Sequence, residues 1–178
     1  VRRKGPDPRE GFFKAYLKDP QATEEAWEGD YFHTGDVVRR DADGYIYFVD
    51  RRKNVIRRSG ENIAAVEVES ALQQHPAVAG AGVSAVPDAV RGDEVFACLI
   101  LREAVRDEAQ RKTLAEEIMR HCLARLAYYK APGYIAFVSS LPVTATQKVQ
   151  RNSLKELAVS LLDDPQTLDL RAMKKRTH

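Results

Sequence analysis

Residues 50–63, Asp-Arg-Arg-Lys-Asn-Val-Ile-Arg-Arg-Ser-Gly-Glu-Asn-Ile, set the tightest limit on how this chain can fold. Residues 45–49 just before them, Tyr-Ile-Tyr-Phe-Val, are aromatic and β-branched and predict a strand. After them, Val68, Ala71, Leu72 and His75 recur at helical spacing and predict a helix over 66–75 that Pro76 stops. The apolar period therefore changes across a short basic junction. Arg51, Arg52, Lys53, Arg57 and Arg58 crowd there with only Val55 and Ile56 as anchors, so the charges must face solvent or anions. Taken alone, the stretch is either a solvated, arginine-rich hairpin or a cradle for an anionic ligand. In the second case Ser59 and Gly60 supply a backbone position that tolerates positive φ.

Around this junction the chain alternates strands and helices. Thr23 is read as the cap of a short helix over 24–27, with acids in its first turn. The turn Asp41-Ala-Asp-Gly44 joins strands 37–40 and 45–49. Downstream, strands are expected over 78–86, 94–101 and 134–138, with Pro87 and Asp88 turning the chain between the first two. Leu114, Ile118, Cys122 and Leu126 mark a long amphipathic helix, and Leu154, Leu157, Leu161 and Leu162 a terminal one. Residues 163–178 read as a tail. The pattern predicts an α/β (α+β) fold, a small mixed sheet flanked by helices, preceded by a β-hairpin.

Composition excludes several functions. A net charge of +2 makes no demand for nucleic acid, and the basic end Lys174-Lys-Arg176 reads as solvated. Cys98 and Cys122 are too few for a disulfide framework or a metal cluster and are expected to be reduced and buried, with no metal site. No apolar run approaches the roughly 20 residues that span a bilayer, so no stable membrane insertion and a cytoplasmic location are expected. His75 reads as a helix-end residue and His121 as a helix-surface one.

Two further features carry chemistry only in combination. Thr34-Gly35-Asp36 places an acid at a glycine turn, where a carboxylate can accept ribose hydroxyls, although turns use these residues everywhere. Lys148 sits in Leu141-Pro-Val-Thr-Ala-Thr-Gln-Lys-Val-Gln-Arg151, a loop in which a lysine is ordinarily a solvated charge. Arg91, in Val90-Arg-Gly-Asp-Glu94, reads most simply as an exposed loop charge.

Residues 50–63 resemble the hinge motif of the acyl-adenylate-forming superfamily, Gly-Arg-x-(Asp or Lys)-Asp-x-Ile-Lys-x-x-Gly-x-x-Ile. The match runs through Arg51, Lys53, Ile56, Gly60 and Ile63, with Asp50, Asn54 and Arg57 departing from it. The second signature of the same family, Pro-x-Thr-x-x-Gly-Lys-x-x-Arg, is matched by Pro142, Thr144, Lys148 and Arg151, with Gln147 replacing the glycine. The order of Thr34-Gly35-Asp36, hairpin and Arg51 is also that of the family, as is a short segment carrying Thr23, Glu25, Ala26 and Trp27.

The resemblance implies a particular architecture and reaction. Residues 1–52 correspond to the end of the large AMP-binding domain, 53–165 to the carboxy-terminal lid domain, and 166–178 to a tail. Asp36 and Arg51 would grip the ribose of ATP, Lys148 would catalyse adenylation, and Lys53 would be the hinge. Gly60, Glu61 and Arg91 would face coenzyme A. ATP with Mg2+ and coenzyme A are the implied cofactor and co-substrate, and a carboxylic acid is the implied substrate. The implied partner is a large amino-terminal domain, with homo-oligomerisation open and nucleic acid excluded. Two alternatives stay open: an amino-acid adenylation domain that serves a carrier protein, and a freestanding binding module that uses the Arg51 to Arg58 cluster.

Overall fold

The computed structural model describes residues 1–174, which divide into two units, Val1–Lys53 and a second that begins at Asn54. The first holds helix α1 (Pro20–Glu25), the two-residue strands β1 (Trp27–Glu28) and β2 (Tyr31–Phe32), and the hairpin β3 (Asp36–Arg40) and β4 (Ile46–Arg51). Helix α1 starts earlier than expected. Asp19, not Thr23, caps it: Asp19 Oδ1 accepts from Ala22 N at 2.9 Å, and Pro20 occupies the first turn, where its missing N–H costs nothing. Thr23 instead donates its hydroxyl to Asp19 O at 2.8 Å.

The second unit is built on a six-stranded mixed sheet. Its strands are β5 (Val55–Arg58), β6 (Glu61–Ala64), β7 (Val78–Asp88), β8 (Gly92–Leu101), β9 (Tyr134–Phe137) and β10 (Leu168–Asp169). Strands β8 and β9 run parallel, and every other pairing is antiparallel. The helices are α2 (Ala65–Gln73), α3 (Glu108–Leu123) and α4 (Arg151–Ser160). Alternation along β8 divides the interior. Val95, Ala97 and Leu99 pack with Val68 and Leu72 of α2 and Ile118, Met119 and Cys122 of α3. Phe96 and Cys98 point the other way and pack with Leu154 and Ala158 of α4. Each large side chain buried there contributes about 1.5–3 kcal/mol. Burial pushes the Cys98 and Cys122 thiols up to about 12. Among the described residues no helix is long and apolar enough to cross a membrane.

Three further expectations change. Strand β7 continues through Pro87 to Asp88, which β7 tolerates because it pairs with β8 alone and Pro87 therefore breaks no ladder on its outer side. The stretch read as a tail is also partly structured: β10 pairs with β9, Leu170 is buried, and Leu168 and Met173 pack on the core. Lys174, read as solvated, is buried beside Glu94. Lys175 and Arg176 lie outside the described residues.

Candidate functional site

In the first unit, the β3–β4 register sets Asp36 opposite Arg51. Gly35, at φ 73°, makes the bend that lets Asp36 N donate to Thr34 Oγ1 at 3.2 Å. Arg52 N donates to Gly35 O at 2.7 Å, and Arg51 Nη1 donates to Thr34 O at 3.1 Å. Arg51 Nε lies 2.9 Å from Asp36 Oδ1, close enough for an ion pair. That enclosed oxygen nevertheless accepts no hydrogen bond, because the N–H does not point at it. Thr34, Asp36 and Arg51 thus form one polar constellation. Lys53, exposed in a 3-10 turn, is the last residue of this unit.

In the second unit, Ser59 and Gly60 connect β5 to β6 and both have positive φ, 50° and 85°. A Cβ on Gly60 would meet nothing within 4 Å, so glycine is there for its torsion and not for space. Glu61 is exposed at the start of β6. Ser59 N donates to Arg91 O at 2.9 Å, which sets this turn beside the 88–91 loop. Asp88 Oδ1 accepts from Val90 N at 3.0 Å and Arg91 N at 2.9 Å, shaping that loop. Gly60, Glu61 and Arg91 therefore belong to adjacent turns of one surface.

Lys148 stands exposed on a separate loop between β9 and α4. Thr144 holds its backbone at both ends: Lys148 N donates to Thr144 Oγ1 at 3.2 Å, and Thr144 N donates to Lys148 O at 2.8 Å. Val143 and Val149 bridge the loop's sides. Gln147 takes φ 60°, a left-handed torsion that glycine adopts freely. As a non-glycine residue Gln147 bears that torsion at a cost of about 1–2 kcal/mol. Beneath the loop, Arg151 Nη2 donates to Glu69 Oε2 at 2.9 Å and Arg151 Nη1 to Glu69 Oε1. Glu69 also accepts from Val83 N at 2.8 Å, which joins α2, β7 and α4 under Lys148.

Three supporting residues escaped sequence reasoning. Glu94 is wholly buried on β8 between Arg58, at 2.8 Å, and Lys174, at 2.5 Å. Arg58, expected to face solvent or anions with the rest of the basic stretch, is only 3% exposed because Glu94 satisfies it. Burial pushes the Lys174 ammonium down to about 8, although Glu94 beside it opposes the shift. Glu69 was detectable in principle, since it lies between Val68 and Leu72 on the inward side of α2. Nothing local marked Glu94 or Lys174.

A family profile described as AMP-binding enzyme C-terminal domain matches residues 67–148. Over 144 residues the chain is 42% identical to human acyl-coenzyme A synthetase ACSM5, mitochondrial, covering 81% of this chain and 25% of that protein. It is 37% identical over 150 residues to an Escherichia coli crotonobetaine/carnitine–CoA ligase, covering 83% of this chain and 28% of the ligase. The chain thus spans about a quarter of the length of the curated relatives it matches. Among solved structures, it is similar to the Bacillus subtilis o-succinylbenzoate CoA synthetase in complex with its acyl-adenylate intermediate. The TM-score is 0.69 at 39% identity, over 80% of this chain and 28% of that one. It is also similar to ATP-bound MatB from Rhodopseudomonas palustris, with a TM-score of 0.68 at 32% identity over 82% of this chain and 28% of that one. The chain belongs to the adenylate-forming, AMP-binding enzyme family, of which it carries a carboxy-terminal portion.

Proposed function

We propose that this chain is the carboxy-terminal part of an ATP-dependent acyl-CoA synthetase. In the first half-reaction a substrate carboxylate oxygen attacks the α-phosphorus of ATP and pyrophosphate leaves. In the second, the coenzyme A thiol attacks the acyl carbonyl of the adenylate, loses its proton, and AMP leaves. That the relatives are CoA ligases favours coenzyme A over a carrier-protein thiol.

The observation that carries this reading is the presentation of Lys148: an exposed ammonium on a loop whose backbone is held by Thr144. The first half-reaction brings two anions together. A positioned cation beside both stabilises the transition state, and one such electrostatic donor contributes about 10²–10³ in rate. The pairing of Asp36 with Arg51 across the hairpin supports a nucleotide role for the first unit. A carboxylate accepts from ribose hydroxyls and a guanidinium donates to their oxygens, so the two side chains can hold one ribose together. Among the described residues no three metal-ligating side chains gather, so the Mg2+ that accompanies ATP is assigned to no residue here.

The thiol step needs a different surface at the acyl carbonyl. Rotation of the second unit about Lys53 would withdraw Lys148 and bring in the turn of Gly60 and Glu61, with Arg91 alongside. In the intact synthetase, Lys148→Ala is expected to abolish acyl-adenylate formation yet leave thioester formation from supplied acyl-adenylate largely in place. Lys53→Pro, which stiffens the pivot, is expected to do the reverse. Measuring the two half-reactions separately tests this, and equal loss of both in both variants would overturn it.

A further inference from the structure

Residues 168–174 form a strap across the sheet. Leu168 and Asp169 pair with Ile135 and Tyr134 of β9, and Leu170 N donates to Gly133 O at 2.8 Å. Two cations on this strap then reach away from it. The Arg171 guanidinium lies over the Tyr134 ring at 4.8 Å and donates from Nη1 to Asp88 Oδ2 at 3.0 Å. Three residues on, Lys174 Nζ meets Glu94 Oε1 at 2.5 Å.

Each contact ends on a group that shapes one of the two turns described above. Asp88, held on one oxygen by Arg171, uses its other oxygen to accept the amides of Val90 and Arg91. Glu94, held by Lys174 on one oxygen, accepts Arg58 Nε on the other at 2.8 Å. Arg58 is the residue immediately before Ser59 and Gly60, and it lies opposite Gly92 in the register of β5 with β8. The exposures of Glu94, Lys174 and Arg58 are 0%, 1% and 3%, so the three charges meet out of water, where an unpaired ion is strongly disfavoured. Space around Glu94 is also closed: a Cβ on Gly133 would lie 2.5 Å from Glu94 Cγ.

We propose that the strap is a positioning element for the thiol half-reaction, with Arg171 acting through Asp88 and Lys174 through Glu94 to hold the Arg91 loop and the Gly60 turn side by side. This rests on the acyl-CoA synthetase reading, which assigns those turns to coenzyme A. Each strap cation is paired with a carboxylate that holds one of the two turns. Their effect is to reduce the number of arrangements the two turns can sample before the thiol arrives.

The test uses Lys174→Met and Arg171→Gln in the intact synthetase, with two readouts. Removing Lys174 leaves the neutral Arg58–Glu94 pair, so the fold is expected to survive, and Arg171 is a surface residue whose loss threatens the fold less. Hydrogen exchange at the amides of Ser59, Val90 and Arg91 is expected to accelerate about tenfold in both variants. The KM for coenzyme A is expected to rise by a similar factor while carboxylate-dependent pyrophosphate exchange stays within about twofold. Arg171→Lys, which keeps a cation facing Asp88, is expected to recover part of the exchange protection.

Unchanged protection in both variants would overturn the proposal. So would loosened turns with an unchanged coenzyme A dependence. If the wild-type protein forms no thioester, the synthetase reading and the thiol role fall together. The protection readout then still decides whether the strap restrains the two turns.

Discussion

Lys174 shows how a single residue registers the cost of its surroundings. With Glu94 and Arg58 it forms a buried group bearing one surplus positive charge, and burial lowers its proton affinity to a pKa of about 8, from an ordinary 10.5. Between those two values the unfolded chain keeps a proton that the folded chain has released. Stability contributed by this residue therefore rises with pH across that window and is flat below about 8. A gain on the order of 2 kcal/mol is expected between pH 7.5 and 10 relative to Lys174→Met, measured by urea unfolding. Parallel pH profiles for the two proteins would show that the ammonium is not strained. The neighbouring carboxylate Asp169 is shifted down, chiefly by its hydrogen bonds from Arg171. Its exposed position makes it a weaker contributor.

At the scale of elements, the helix that follows the Lys148 loop is held by charge as much as by apolar burial. Glu69 on α2 takes two hydrogen bonds from Arg151, the first residue of α4, and one from Val83 N on β7. Glu69→Ala removes the two hydrogen bonds it takes from Arg151 and the one it takes from Val83 N. We expect about 2 kcal/mol of lost stability, read by chemical denaturation, together with slower adenylation in the intact enzyme. An unchanged unfolding midpoint would show that α4 is held by Leu154 and Ala158 alone.

The elements themselves were largely legible. Strand β8 follows from the alternation of Val95, Ala97 and Leu99 against Phe96 and Cys98, and α3 from Leu114, Ile118 and Cys122. Strand β10 was missed because Leu168 and Leu170 are two apolar positions in a polar stretch, too short to establish a period. The contact that ends the strap joins residues 80 positions apart, a separation that local spacing does not encode. Asp36 facing Arg51 was legible only through the order of two motifs. Their opposition in register comes from the hairpin, whose pairing shifts between Val37 and Val38.

For the whole molecule, the two units differ in how much interior each possesses. Among residues 1–53 only Ala26 and Asp50 are buried, and Tyr45, Ile46 and Phe48 of the hairpin lie exposed. The second unit has packed clusters on both faces of its sheet. The chain also corresponds to about a quarter of each relative's length. Alone it is accordingly expected to bind ATP weakly and to catalyse no carboxylate-dependent exchange of pyrophosphate into ATP. Robust exchange by this chain in isolation would refute its assignment as one part of a larger catalyst.

The two native thiols have a practical consequence. Cys98 and Cys122 are buried and held in the protonated form far above neutral pH. Against so silent a background, a cysteine introduced at the exposed Gln147 or Lys53 would be the first to take up a maleimide dye. A fluorophore at either position could then test in real time whether the second unit rotates as proposed, with neither native sulfur needing to be replaced.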